Sequence, residues 1–154
     1  MAKAASTDLR GKFHKRQLRV TRPRQMIVDV LGNTTEHFSA EEVYLRVHAK
    51  YPNVGLTTVY RTLDLLEEMG IVVKQNFGDG RSRYELKENP KKPGHHHHLV
   101  CTACKRVIDY NDFVDEEVKL IGKLEKELSR KHGFRITGHV IQFHGVCTAC
   151  KKTV

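Results

Sequence analysis

No run of apolar residues in this chain approaches the roughly 20 that a membrane-spanning helix requires. The basic N-terminus is not followed by the apolar segment of a secretory signal. Both absences predict a soluble protein of the reducing cytoplasm, with no membrane partner, where thiols persist instead of pairing as disulfides. Acid is scarce where base is abundant: residues 1–24 carry eight Lys or Arg (Lys3, Arg10, Lys12, Lys15, Arg16, Arg19, Arg22, Arg24) against the single Asp8, a local charge of +7 out of +9 for the whole chain. A basic arm of this kind is an electrostatic footprint for a polyanion. With 154 residues, the chain accommodates one ordinary domain or two small ones, and a small domain gains from a metal staple or a dimer interface.

Cysteine is also scarce, but its four copies are ordered. They form one pentapeptide twice, Cys101-Thr102-Ala103-Cys104-Lys105 and Cys147-Thr148-Ala149-Cys150-Lys151. Two C-x-x-C pairs supply the four thiolates of one tetrahedral zinc, whereas a redox C-x-x-C does not ordinarily come in matched duplicate. With 42 residues between Cys104 and Cys147, the ion would staple distant segments and close a subdomain.

Four consecutive histidines, His95 to His98, precede the first pair. Lying inside the chain, they are not a purification tag. If they lead into a strand at Leu99, His96 and His98 share one face and His95 and His97 the other, so one run serves two metals. Imidazole suits Zn, Fe, Ni, Cu and, with carboxylates, Mn. Candidate partners are His37, Glu85 and Asp109 on one side, and His139 with Glu116 or Glu117 on the other. Glu117 fits the inner stripe of its helix better.

The remaining pattern predicts two domains. Thr21-Arg22-Pro23 opens a short helix through Met26, Ile27, Val30 and Leu31 that stops at Gly32. Ser39-Ala40-Glu41-Glu42 spells a capping box for a second helix, which Pro52 prevents from continuing. A third runs from Leu56 to Met69 with Val59, Leu63 and Leu66 on one face, closed by Gly70. Strands at Ile71–Phe77 and Arg81–Leu86 flank the turn Gly78-Asp79-Gly80. Three helices and a β-hairpin make a winged helix-turn-helix. Its third helix would enter the major groove of double-stranded DNA through Thr57, Thr58, Tyr60 and Arg61, with Lys15 and Arg16 of the arm and Arg81 and Arg83 of the hairpin on phosphates.

The boundaries predicted are 1–88 for that domain, 89–94 for a Pro- and Lys-containing linker, and 95–154 for a second, small α+β domain. There, strands at Leu99–Cys101 and Val107–Tyr110 surround the first C-x-x-C. A helix follows with Val114, Val118, Ile121, Leu124 and Leu128 inward, ending near Gly133, and a strand from Phe134 to Val146 delivers the second. Open sheet edges predict pairing with a twin.

The ordered set HFSAEEVY, GLTTVYRTL, FGDGRSRYEL, HHHHLVCTAC, HGFRITGH and CTAC resembles the ferric uptake regulator family of bacterial metal-responsive repressors over nearly the whole chain. The resemblance implies an N-terminal winged helix that binds operator DNA, a C-terminal dimerisation domain, and structural Zn²⁺ on Cys101, Cys104, Cys147 and Cys150. It implies a sensory metal, Fe²⁺ or Mn²⁺ or Zn²⁺, on His37, Glu85, His96, His98 and Asp109 at the hinge. A further site would use His95, His97, His139 and Glu116 or Glu117.

The chain departs from many iron-responsive members in having His97 where they have aspartate, and in a longer segment from Asp109 to His139. Asp109 is more like the peroxide-sensing branch, and Glu85 more like the iron-uptake branch. Zinc-sensing branches often recruit a cysteine, and here all four are committed. The function so implied is metal-gated repression with iron as the first candidate. A peroxide-sensing or Mn- or Zn-responsive member is the alternative, and no small-molecule substrate is expected. The rivals from other classes are a His/carboxylate metalloenzyme, for which no general base or cleft is identifiable, and a metal-storage module, which leaves the winged helix without a use.

Overall fold

The computed structural model describes residues 11–91 and 94–151. The arm residues Lys3, Asp8 and Arg10, and Lys92 and Pro93 of the predicted linker, lie outside the described residues. The chain divides into two compact units, Met1–Gly94 and His95–Val154. None of the described helices is long and apolar enough to cross a membrane.

In the first unit, α1 (Arg22–Gly32) begins with Pro23 in its first turn, where a missing N–H costs nothing. Gly32 does not stop it. Asn33 does, its side-chain amide donating to the Asp29 carbonyl at 2.8 Å. The glycine has a packing role instead, since a Cβ there would stand 3.3 Å from Leu86 Cδ1. A two-residue strand, β1 (Phe38–Ser39), leads into α2 (Ala40–His48). Ser39 caps it in both directions: its hydroxyl accepts from the Glu42 N–H at 3.2 Å, and Glu42 accepts from the Ser39 N–H at 2.7 Å.

Helix α3 (Leu56–Glu68) buries Val59, Thr62, Leu63 and Leu66. Gly70, at φ +65°, turns the chain into the hairpin. The hairpin strands β2 (Val72–Asn76) and β3 (Ser82–Leu86) are slightly shorter than the apolar pattern predicts. With β1 they form an antiparallel sheet of order β1-β3-β2. One apolar core, including Ile27, Leu31, Val43, Val59, Leu63, Leu66 and Tyr84, joins the three helices to it. Phe13 also enters this core fully buried, and so seats the end of the basic arm. Asn89 is buried and donates to the Thr34 carbonyl at 2.7 Å, so the predicted linker begins anchored to the first unit.

The second unit is built on β4 (His97–Cys101), with β5 (Val107–Tyr110) antiparallel on one side and β6 (Gln142–Gly145) parallel on the other. The expected strand from Phe134 to Val146 is corrected here. Only four residues are strand, because pairing runs only from His98↔Gln142 to Cys101↔Gly145, and a strand extends as far as its partner.

Helix α4 (Val114–His132) ends at Gly133, which is left-handed. Its predicted inward stripe is also corrected. Of the five residues only Val114 is buried, while Val118, Leu124 and Leu128 stay nearly half exposed. A short helix, α5 (Thr148–Lys151), carries the last cysteine.

Candidate metal centres and nucleic-acid interface

The parallel pairing of β4 with β6 brings the two C-x-x-C segments together. It sets Cys101 opposite Gly145, two residues before Cys147, and the Thr102 N–H ties the junction to the Gly145 carbonyl at 2.8 Å. All four thiols are free, and the four sulfurs lie within 4.8 Å of one another. Cys104 Sγ and Cys147 Sγ stand 3.8 Å apart. A tetrahedral ion with Zn–S bonds of about 2.3 Å requires sulfur–sulfur edges of about 3.8 Å.

The electrostatics are uneven in the same sense. Hydrogen bonds from the backbone of Cys147, then Cys104, lower the Cys101 thiol to about 6, whereas hydrogen bonding with the Cys104 and Cys147 side chains raises Cys150 to about 12. A cation supplies what is missing for four thiolates to coexist, and the S4 donor set fits zinc.

Two histidine–carboxylate pairs follow directly from strand register. In the first unit, Phe38 pairs with Tyr84, which places the preceding His37 beside Glu85. His37 Nε2 stands 3.2 Å from Glu85 Oε2, both side chains being more than nine-tenths buried. The other Glu85 oxygen accepts from Gln75 Nε2 at 3.1 Å, and Phe77 packs edge-on against the His37 ring. In the second unit, His98 pairs with Asp109 across β4 and β5. His98 Nε2 lies 3.4 Å from Asp109 Oδ1, with the His96 ring 5.2 Å away at a steep angle.

The alternate face of the histidine run holds His95 and His97, their ring centroids 4.7 Å apart, with His139 beside both. The ligand nitrogens of these three lie within 4.8 Å of one another. Glu117 is drawn in: its Oε2 is 2.9 Å from His97 Nε2, and its Oε1 accepts from the Tyr110 hydroxyl at 3.1 Å. Burial lowers the pKa of His97, against the opposing pull of Glu117, and so favours the neutral imidazole that ligates metal. Glu116, one residue earlier on α4, is exposed. The sequence reading missed Glu125, whose Oε1 lies 2.9 Å from His139 Nδ1. The available signal was its spacing of eight from Glu117, two steps of four along one helical face.

At the other end of the chain, Thr57, Thr58, Tyr60 and Arg61 are all exposed on the first turns of α3. Tyr60 donates its hydroxyl to Glu41 of α2, a contact that the sequence reading did not anticipate. The basic residues divide into two sets. Arg16 donates to the Glu68 carbonyl at 3.0 Å, at the end of α3, and Lys12 pairs with Glu88 at 3.6 Å. Arg83 is held by Asp79 at 2.6 Å in the hairpin turn. Lys15 and Arg81 are exposed.

A winged helix-turn-helix unit joined to an α+β unit rich in metal-ligand clusters defines a class, the metal-responsive DNA-binding regulators. The chain belongs to the Ferric uptake regulator family, whose pattern it matches over residues 15–153. It is 42% identical over 144 residues to the ferric uptake regulation protein of Bacillus subtilis (strain 168), covering 92% of this chain and 91% of that one. Among solved structures, the ferric uptake regulator of Pseudomonas aeruginosa with manganese superposes with a TM-score of 0.69 at 32% identity, covering 94% of this chain and 98% of that one. That of Vibrio cholerae gives 0.63 at 33%, covering 90% and 98%. The protein is therefore a metal-dependent transcriptional regulator and not an enzyme.

Proposed function

We propose that the chain is an iron-responsive repressor in which one divalent ion, held by His37, Glu85, His96, His98 and Asp109, joins the winged helix to the second domain across the 89–94 hinge. The observation that carries this is the pair of half-sites. His37 with Glu85 and His98 with Asp109 are each a buried imidazole beside a carboxylate, one in each unit. A carboxylate–imidazole set without thiolate suits Fe²⁺ or Mn²⁺ better than a soft ion, and all four cysteines are gathered elsewhere in the S4 group. The presence of manganese in the Pseudomonas aeruginosa relative makes Mn²⁺ the second ion to test.

In this reading zinc on Cys101, Cys104, Cys147 and Cys150 closes the second domain. The exposed Val118, Leu124 and Leu128 of α4 are covered by a second copy of the chain, giving a homodimer. The paired third helices then meet successive major-groove faces of operator DNA. The N-terminus of α3 has no side-chain cap, and an uncapped helix N-terminus is suited to a phosphate.

The test is operator affinity measured without oxygen over a titration of Fe²⁺ or Mn²⁺. His96→Ala or His98→Ala should keep zinc and dimer but lose the metal-dependent gain, about 5- to 150-fold for a coupling of ordinary size. By reciprocity, operator DNA should tighten metal binding in the parent by the same factor. Loss of the response in none of the variants would place the sensory site elsewhere.

A further inference from the structure

The second histidine cluster has an unassigned member. His95, His97 and His139 converge, and two of the three rings each meet their own carboxylate from α4: His97 meets Glu117 and His139 meets Glu125, both at 2.9 Å. The two glutamates do different things. Glu117 divides its oxygens between His97 and the Tyr110 hydroxyl. Glu125 contacts His139 through Nδ1, with both side chains only about a third exposed.

A carboxylate only accepts, and a neutral imidazole has one N–H. In the neutral ring such a contact puts the proton on Nδ1 and the lone pair on Nε2. This is how metal-bound histidines are held, with a carboxylate on the ring nitrogen remote from the ion fixing both the tautomer and the ring's orientation. α4 buries only Val114 against its own unit, so these polar contacts also bear on where the helix lies.

We propose that Glu125 is the positioning residue of a second metal site for a first-row divalent cation. It holds His139 as the Nδ1–H tautomer with Nε2 turned to the ion. This rests on reading His95, His97 and His139 as a metal site, and it deepens that reading.

The experiment uses the full chain carrying His96→Ala, so that Co²⁺ added beyond the structural zinc reports the second site alone. Affinity is read by chelator competition and visible absorption, with zinc content as the internal reference. Adding Glu125→Ala should weaken Co²⁺ binding by about 10- to 100-fold, the usual cost of losing such a partner. Glu125→Gln should lose less, because its amide oxygen still accepts from Nδ1–H. Nitrogen-15 spectra of the metal-free proteins should show His139 as Nδ1–H with Glu or Gln at 125, and as a changed tautomer mixture with Ala.

Unchanged affinity in Glu125→Ala overturns the proposal. So does a Gln variant as weak as the Ala variant with its tautomer intact, which would make Glu125 a ligand and not a positioning residue. If the parent binds no second Co²⁺ and His139→Ala changes nothing, the metal site itself fails. The response that depends on His96 and His98 tests the regulatory reading separately.

Discussion

Single residues in this protein take their roles from the atom opposite them. Tyr60 illustrates this at the end of the molecule proposed to face DNA. Its hydroxyl proton is committed to Glu41, and this hydrogen bond lowers the Glu41 carboxyl and raises the Tyr60 phenol. The ring is thereby held by a group outside its own helix. Glu41→Ala should release the ring and remove a negative charge from a surface proposed to approach phosphate. Affinity for scrambled DNA should rise while the ratio of operator to scrambled binding falls several-fold. Tyr60→Phe should lower the ratio without the rise. Anisotropy titrations on both DNAs at two salt concentrations check this, and an unchanged ratio in Glu41→Ala would mean that the carboxylate does not orient the tyrosine. Arg16 makes the opposite point: a basic residue in a basic arm is engaged in satisfying the carbonyl end of α3.

Among the elements, local chemistry set the first unit closely. The capping box at Ser39, the proline in the first turn of α1 and the glycines at φ +79° and +76° in the hairpin turn each act within a few residues, so a linear reading finds them. The second unit was less legible for the same reason. Whether Phe134–Ile141 is strand depends on a partner that lies elsewhere, and whether the α4 stripe is buried depends on what covers it. The exposed stripe carries its own prediction. Leu124→Glu should shift the protein toward monomer while leaving zinc content and the α-helical signal intact, since that side chain is nearly half exposed within one chain. Sedimentation velocity at micromolar concentration checks it. A dimer as stable as the parent would mean that α4 is not the interface.

For the whole molecule, the S4 group is proposed to couple chain topology to assembly. Cys101 and Cys104 leave β4, Cys147 and Cys150 follow β6, and the parallel pairing of those strands brings them together. Metal-binding energy at such a site is folding energy. Cys104→Ser should therefore abolish zinc retention and with it the dimer, while the winged helix, which has its own apolar core, keeps its helical signal. Atomic emission, sedimentation and circular dichroism on one preparation test all three, and a zinc-free dimer of the variant would count against an architectural role.

The sequence by itself determined what is carried by short spacings and by composition. This includes the helices of the first unit with the Ser39 capping box, the hairpin, the doubled C-x-x-C, the alternation of the histidine run and the positive arm. Period and capping depend on neighbours within about four residues, which are always visible in a linear chain. Tertiary structure decided what the sequence left open among the carboxylates. It set Glu117, which the helical stripe already favoured over Glu116, against His97, and it brought in Glu125 for His139. Those choices depend on the rotation of α4 about its axis and on the path of the chain after Gly133. A turn of 100° per residue moves a side chain from the cluster to solvent without altering anything that local sequence can register.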